Sequence, residues 1–164
     1  MKLYITYGTV DYLAKLAKAH DDKNLRLMAN NDTGVLFHET EEKSIFKEPK
    51  TYDVLDSTGK LSNGKYAALN NIPVSYEGRP LFEKRFSDRA RLIEKELGFS
   101  AIRVLRPSKG DTYIILTLWE NEQYFTAWQK SKSFDTGITK SSVGIPQPFS
   151  RPHYVTKYTS VEID

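Results

Sequence analysis

Thr112-Tyr113-Ile114-Ile115-Leu116-Thr117-Leu118-Trp119 reads as a strand with two apolar faces. Successive strand side chains point to opposite sides. Ile114, Leu116 and Leu118 therefore share one face, and Tyr113, Ile115 and Trp119 share the other. Helices packed on a sheet cover only one of these faces. The second must meet another sheet, another subunit or a ligand. With 164 residues the chain is long enough for its first half to provide that cover. The alternative is a second copy in a homodimer.

The neighbouring segments set this strand in a regular order. Residues 65–76 form a strand, and Gly78-Arg79-Pro80 opens a helix, with Pro80 where its missing N–H costs nothing. Phe82, Phe86, Ala90, Ile93 and Leu97 recur at helical spacing, and Gly98 closes the helix. Residues 101–105 form a strand and residues 107–111 a turn. A second helix begins near Asn121 and presents Tyr124, Phe125 and Trp128. A Gly/Pro/Ser-rich loop leads to Pro152, and residues 153–161 form the last strand. The order β-α-β-β-α-β suits a ferredoxin-like α+β sandwich.

The first half reads as a weaker version of the same unit. Residues 2–7 are a strand, Thr9 is an N-cap, and residues 10–19 are a helix. Strands 25–29 and 35–40 flank the turn Asn31-Asp32-Thr33-Gly34. A short apolar segment, 52–55, stands where the unit would end, with no second helix before it. The expected organisation is a degenerate ferredoxin-like subdomain over 1–60, packed on a complete ferredoxin-like domain over 61–164.

Composition narrows the function classes. A formal charge of +3 with scattered Lys and Arg argues against nucleic acid and anionic membranes as partners. No apolar stretch approaches a membrane span, and the polar first residues do not read as a signal peptide, so a cytoplasmic location is the expectation. The absence of cysteine removes disulfides, Fe–S clusters, Cys-zinc sites and thiol nucleophiles. His20, His38 and His153 have no metal-ligand spacing. The chain carries no Walker loop, dinucleotide fingerprint or nucleophile elbow. Ten tyrosines and eight phenylalanines are enough to line a flat apolar pocket as well as a core.

One polar residue stands out. On strand 65–76, Asn70 shares a face with Tyr66, Ala68, Ile72, Val74 and Tyr76, while Leu69, Asn71, Pro73 and Ser75 take the other. An amide on an apolar face needs a neighbouring donor or acceptor, a water or a ligand.

Several segments carry a family resemblance: Tyr4-Ile5-Thr6-Tyr7-Gly8-Thr9, Leu69-Asn70-Asn71-Ile72, Glu77-Gly78-Arg79-Pro80-Leu81-Phe82-Glu83, Ile102-Arg103-Val104-Leu105-Arg106-Pro107, Leu116-Thr117-Leu118-Trp119-Glu120 and Phe149-Ser150-Arg151-Pro152. They resemble the longer haem-degrading monooxygenases of Gram-positive bacteria, in the antibiotic-biosynthesis-monooxygenase superfamily. The resemblance extends to a staphylococcal target of RNAIII-activating protein, for which a signalling role has been proposed.

The resemblance implies a ferredoxin-like, usually dimeric fold that binds haem as both prosthetic group and substrate. Dioxygen and an external electron donor then drive oxidative cleavage of the porphyrin and release iron. It assigns Asn70 to orienting the oxygen species and Trp128 to walling and ruffling the macrocycle. At the register of the family's haem-ligating His this chain has Ile138, which cannot ligate iron. His153, opening the strand after the variable loop, is the substitute metal ligand, and Arg103 and Arg106 are the candidate cations for the haem propionates. Two alternatives stand beside this reading: a non-catalytic dimeric stress or signalling protein of the same fold, and an oxygenase acting on another small aromatic substrate.

Overall fold

The computed structural model describes residues 1–21, 23–86, 92–131 and 152–162. Eight antiparallel strands close into a barrel in the order β1-β3-β2-β8-β5-β7-β6-β4. The strands are β1 (Lys2–Gly8), β2 (Leu25–Ala29), β3 (Gly34–Thr40), β4 (Lys50–Thr58), β5 (Tyr66–Pro73), β6 (Phe99–Pro107), β7 (Thr112–Trp119) and β8 (Tyr154–Ser160). Three α-helices, α1 (Val10–Ala19), α2 (Arg79–Phe86) and α3 (Glu122–Gln129), lie among the described residues.

The barrel order contains two four-stranded sheets of the same connectivity. β4-β1-β3-β2 comes from the first half and β8-β5-β7-β6 from the second. Each is the strand order of a ferredoxin-like unit, and the first lacks the helix between its third and fourth strands. Residues 41–49 run there instead and lay Ile45 and Phe46 against the apolar cluster under α1. The sheets join edge to edge through β4 with β6 and through β2 with β8.

The two-faced strand resolves accordingly. Ile114, Leu116 and Leu118 point into the barrel with Leu3, Ile5, Phe37 and Leu69. Tyr113, Ile115 and Trp119 point outward under α2 and α3 with Phe82, Phe86 and Phe125. The first half covers the second face within one chain. One barrel end is plugged by the segment before β5: Leu61 is buried in the interior cluster. The Arg26 guanidinium holds that segment through the carbonyls of Ser62 at 2.6 Å and Gly64 at 2.5 Å.

Local signals behave as expected at several ends. Thr9 Oγ1 accepts from the Tyr12 N–H at 3.2 Å, and Asn121 Oδ1 accepts from the Tyr124 N–H at 3.3 Å, capping α1 and α3. Three expectations change. The apolar segment 52–55 is part of a full strand, β4, because it closes the barrel against β6. β5 ends at Pro73, and a 3-10 turn follows, so Tyr76 leaves the strand face and is 86% exposed. Leu97 lies in the turn before Gly98 and is 81% exposed rather than on a buried helical face. Ala90 falls outside the described residues.

Candidate functional site

Asn70 sits at the centre of the outer face of the second sheet. Its cross-strand partners are Val155 on β8 and Ile115 on β7. Ala68 and Ile72 flank it along the strand, so four apolar side chains surround one amide. Asn70 is 7% exposed, and its Oδ1 is buried without a hydrogen-bond partner. Asn71 next to it turns the other way and is satisfied. Its Nδ2 donates to the Leu69 carbonyl at 2.9 Å, to Thr156 Oγ1 at 3.2 Å and to the Tyr154 carbonyl at 3.3 Å. Leaving a buried acceptor without a donor costs about 1–3 kcal/mol, which a water or a ligand bringing a donor recovers.

α3 brings an aromatic wall to this face. Phe125 is its buried anchor, with ring centroids 5.8 Å from Tyr66 and 6.1 Å from Trp119. One turn on, half-buried Trp128 stacks at 5.3 Å from Trp119 with the planes tilted by 34°. Trp119 is locked in turn, its indole N–H donating to Thr117 Oγ1 at 2.9 Å. The helix can come this close because Gly98 passes beneath Tyr124. A Cβ at Gly98, whose φ is +78°, would stand 2.1 Å from Tyr124 Cγ. Trp128, Tyr124, Ala127 and Leu97 also line a cleft of about 410 Å³ beside α3, which Asn70 does not line.

His153 lies immediately before β8. Strand alternation carried two residues back from Val155, one position beyond the strand's first residue, puts it on the Asn70 side of the sheet. It is half-buried, and burial lowers its pKa from the ordinary 6.5. The imidazole is therefore neutral, the form that ligates a metal. Among the described residues no group of three or more His, Cys, Asp or Glu gathers around a common point. Iron delivered inside a porphyrin needs only one such ligand from the protein. The apolar surround, the unpartnered amide and a neutral imidazole on one face are of the chemical kinds that an iron porphyrin takes. The segment around Ile138 lies outside the described residues.

The two arginines part company. Arg103 does not meet Asn70: it points into the barrel end on the opposite face of the sheet and is 4% exposed. All five of its N–H donors are engaged. Nε and Nη2 grip the Glu39 carboxylate at 2.5 and 3.1 Å. The rest reach the carbonyls of Thr58, Ile102 and Gly59. Its expected role toward a propionate is corrected on that ground. Arg106 does lie on the outer face, half-exposed, between Glu83 on α2 at 3.1 Å and Asp53 at 3.5 Å.

Sequence reading passed over Glu83 and Tyr113. The buried Tyr113 hydroxyl donates to Glu83, and burial first, then this bond, raises its pKa. The signal was present in the outward parity of Tyr113 under a helix carrying an acid.

The sequence profile of the antibiotic biosynthesis monooxygenase family matches residues 66–140. A signal transduction protein TRAP of Staphylococcus epidermidis is 30% identical over 147 residues, spanning 87% of this chain and 86% of that protein. Its Staphylococcus aureus counterpart is 28% identical over 142 residues, 87% of this chain and 85% of that protein. A solved structure described as a major regulator of staphylococcal pathogenesis superposes with a TM-score of 0.89 at 25% identity, covering 99% of this chain and 100% of that one. LmHde, a haem-degrading enzyme of Listeria monocytogenes, superposes with a TM-score of 0.76 at 20% identity, covering 98% of this chain and 100% of that one. At that identity the likeness is one of fold.

Proposed function

This chain belongs to one family with the staphylococcal TRAP proteins and carries an antibiotic biosynthesis monooxygenase domain over residues 66–140, and from that premise we propose that it binds haem and cleaves it oxidatively to release iron. The observation that carries the reading is the Asn70 carboxamide, buried on an apolar outer face with Oδ1 unpartnered while Asn71 beside it is satisfied. An amide kept in that state is held ready for a ligand. Haem is the substrate, with dioxygen and an external reductant as co-reactants. Asn70 orients the oxygen reactant by donating from Nδ2–H, in a face dry enough to make that bond count. Trp128, braced on Trp119 and Phe125, presses on one side of the macrocycle. His153 offers its neutral imidazole to the iron. Arg106 lies on the outer face but is already held by Glu83 and Asp53.

The test is a titration with haemin, followed by ascorbate in air. One equivalent should shift the Soret band to a saturating value, and the reductant should then bleach it while a ferrous chelator gains colour. An unshifted Soret band at stoichiometric haemin contradicts the reading.

A second reading has its own observation. Trp128 already packs on two aromatic rings, as a purely structural residue would, and the TRAP relatives carry a signalling name. A dimeric signalling protein that keeps the fold without the chemistry would bind no haem.

A further inference from the structure

The haem reading leaves one chemical demand unmet. The macrocycle carries its charge at one edge as two carboxylates, and both arginines singled out from sequence already hold acids: Arg103 grips Glu39, and Arg106 is shared by Glu83 and Asp53. We propose that Lys157 on β8 is the cation that anchors the acidic edge of the ligand. This inference rests on the haem reading. It narrows the site's ligand class to flat aromatic molecules whose anionic edge projects past β8.

The register makes the case. Val155 is the cross-strand partner of Asn70, and Lys157 that of Ala68. Lys157 is thus the diagonal neighbour of Asn70 on the same outer face, a spacing of roughly 7–8 Å in antiparallel sheets. A lysine stem spans that distance. Its ammonium lies 5.8 Å over the Phe125 ring, and Phe125 lies 6.1 Å from Trp128. The charge therefore sits at the rim of the aromatic wall, held by a ring face. The backbone beneath it is pinned, since Asn30 Nδ2 donates to the Lys157 carbonyl at 3.2 Å. Among the described residues no carboxylate lies within ion-pair distance of Lys157, whereas Lys2, Arg103 and Arg106 each have one. Lys157 is exposed. It has both the access and the unspent charge to meet a ligand carboxylate.

The experiment is a cycle between Lys157 and the ligand's charge. Wild-type protein, Lys157→Met and Lys157→Arg are each titrated with haemin and with haemin dimethyl ester, whose macrocycle is the same and whose edge is neutral. Soret shifts are read at low and at high salt. At low salt Lys157→Met should weaken haemin binding about five- to tenfold, the scale of one partly screened charge pair. It should leave diester binding unchanged. Lys157→Arg should restore haemin affinity, and salt should shrink the difference. Equal losses for haemin and diester would mean a packing role and overturn the assignment, as would no loss for either. If haemin binds wild type and Lys157→Met alike, only this inference falls. If wild type binds neither porphyrin, the haem reading falls and takes the inference with it.

Discussion

Asn70 and Asn71 are consecutive amides on β5 that face opposite ways, and only Asn71 is satisfied by its neighbours. The contrast separates stability from function at adjacent positions. Asn71→Ala removes a buried donor and leaves Thr156 Oγ1 and two carbonyls short of it, which should cost about 1–3 kcal/mol in urea unfolding. Asn70→Ala removes an acceptor that bonds nothing and should cost less. The reverse ranking would show that Asn70 is held by partners in the folded state.

The buried ion pair at the barrel end makes a second prediction. Arg103 and Glu39 are nearly solvent-free and join β6 to β3 across the interior. Removing one partner strands the other charge, so Glu39→Ala should destabilise by about 3–5 kcal/mol. Replacing both by apolar residues of similar volume should cost much less than the two single changes summed. Haemin affinity of the folded double variant should match wild type, because the pair lies on the face away from Asn70. A selective loss of haemin binding there would return Arg103 to the site.

His38 provides a pH prediction. It is buried between the rings of Tyr4 and Phe46, with Nδ1 unpartnered. Burial first, then the charges of Lys23 and His20, lowers its pKa from 6.5, against a smaller opposing effect of Glu42. The unfolded chain therefore takes up this proton at higher pH than the native chain. The stability contribution is complete above pH 6.5 and is lost as pH falls through the lowered native value. Denaturation midpoints between pH 7 and pH 5 should fall less steeply in His38→Leu than in wild type. Parallel slopes would remove His38 from the acid response.

Gly98 tests the placement of α3. Alanine there meets both a φ of +78° and the Tyr124 ring. The backbone penalty alone is about 1–2 kcal/mol. Gly98→Ala should lower the melting temperature, and adding Tyr124→Ala should recover only a fraction of the loss, because the Cβ of residue 124 would still stand 2.6 Å away. A neutral Gly98→Ala would mean that α3 moves without cost.

Trp128→Phe separates chemistry from packing. It keeps an aromatic on Trp119 but reduces the wall. Bleaching under ascorbate should slow much more than haemin affinity falls, and equal losses in both would assign Trp128 to packing alone.

Much of this arrangement was legible in the chain. Strand parity told the faces of 112–119 apart and turned Asn70 away from Asn71, because a period of two is rigid once a strand is recognised. Thr9 capped the first helix where a side-chain acceptor precedes it, and the helix placed near Asn121 begins there. Parity failed for Arg103 because both faces of β6 are apolar: Ala101 and Leu105 point in, and Ile102 and Val104 point out. The missing clue was Glu39, which shares its parity with Val35 and Phe37 on the barrel interior and needs a cation there. Leu97 misled because helical spacing persists through the turn that Gly98 imposes. Lys157 was hidden as an ordinary surface lysine. Only the register with Ala68 and the Phe125 ring below it give that position meaning.

The most direct measurement compares wild type with Asn70→Leu, each loaded with one equivalent of haemin and then given ascorbate in air. Both proteins should shift the Soret band, and only wild type should lose it while ferrous iron accumulates. Bleaching of Asn70→Leu at the wild-type rate would contradict the role given to the unpartnered amide.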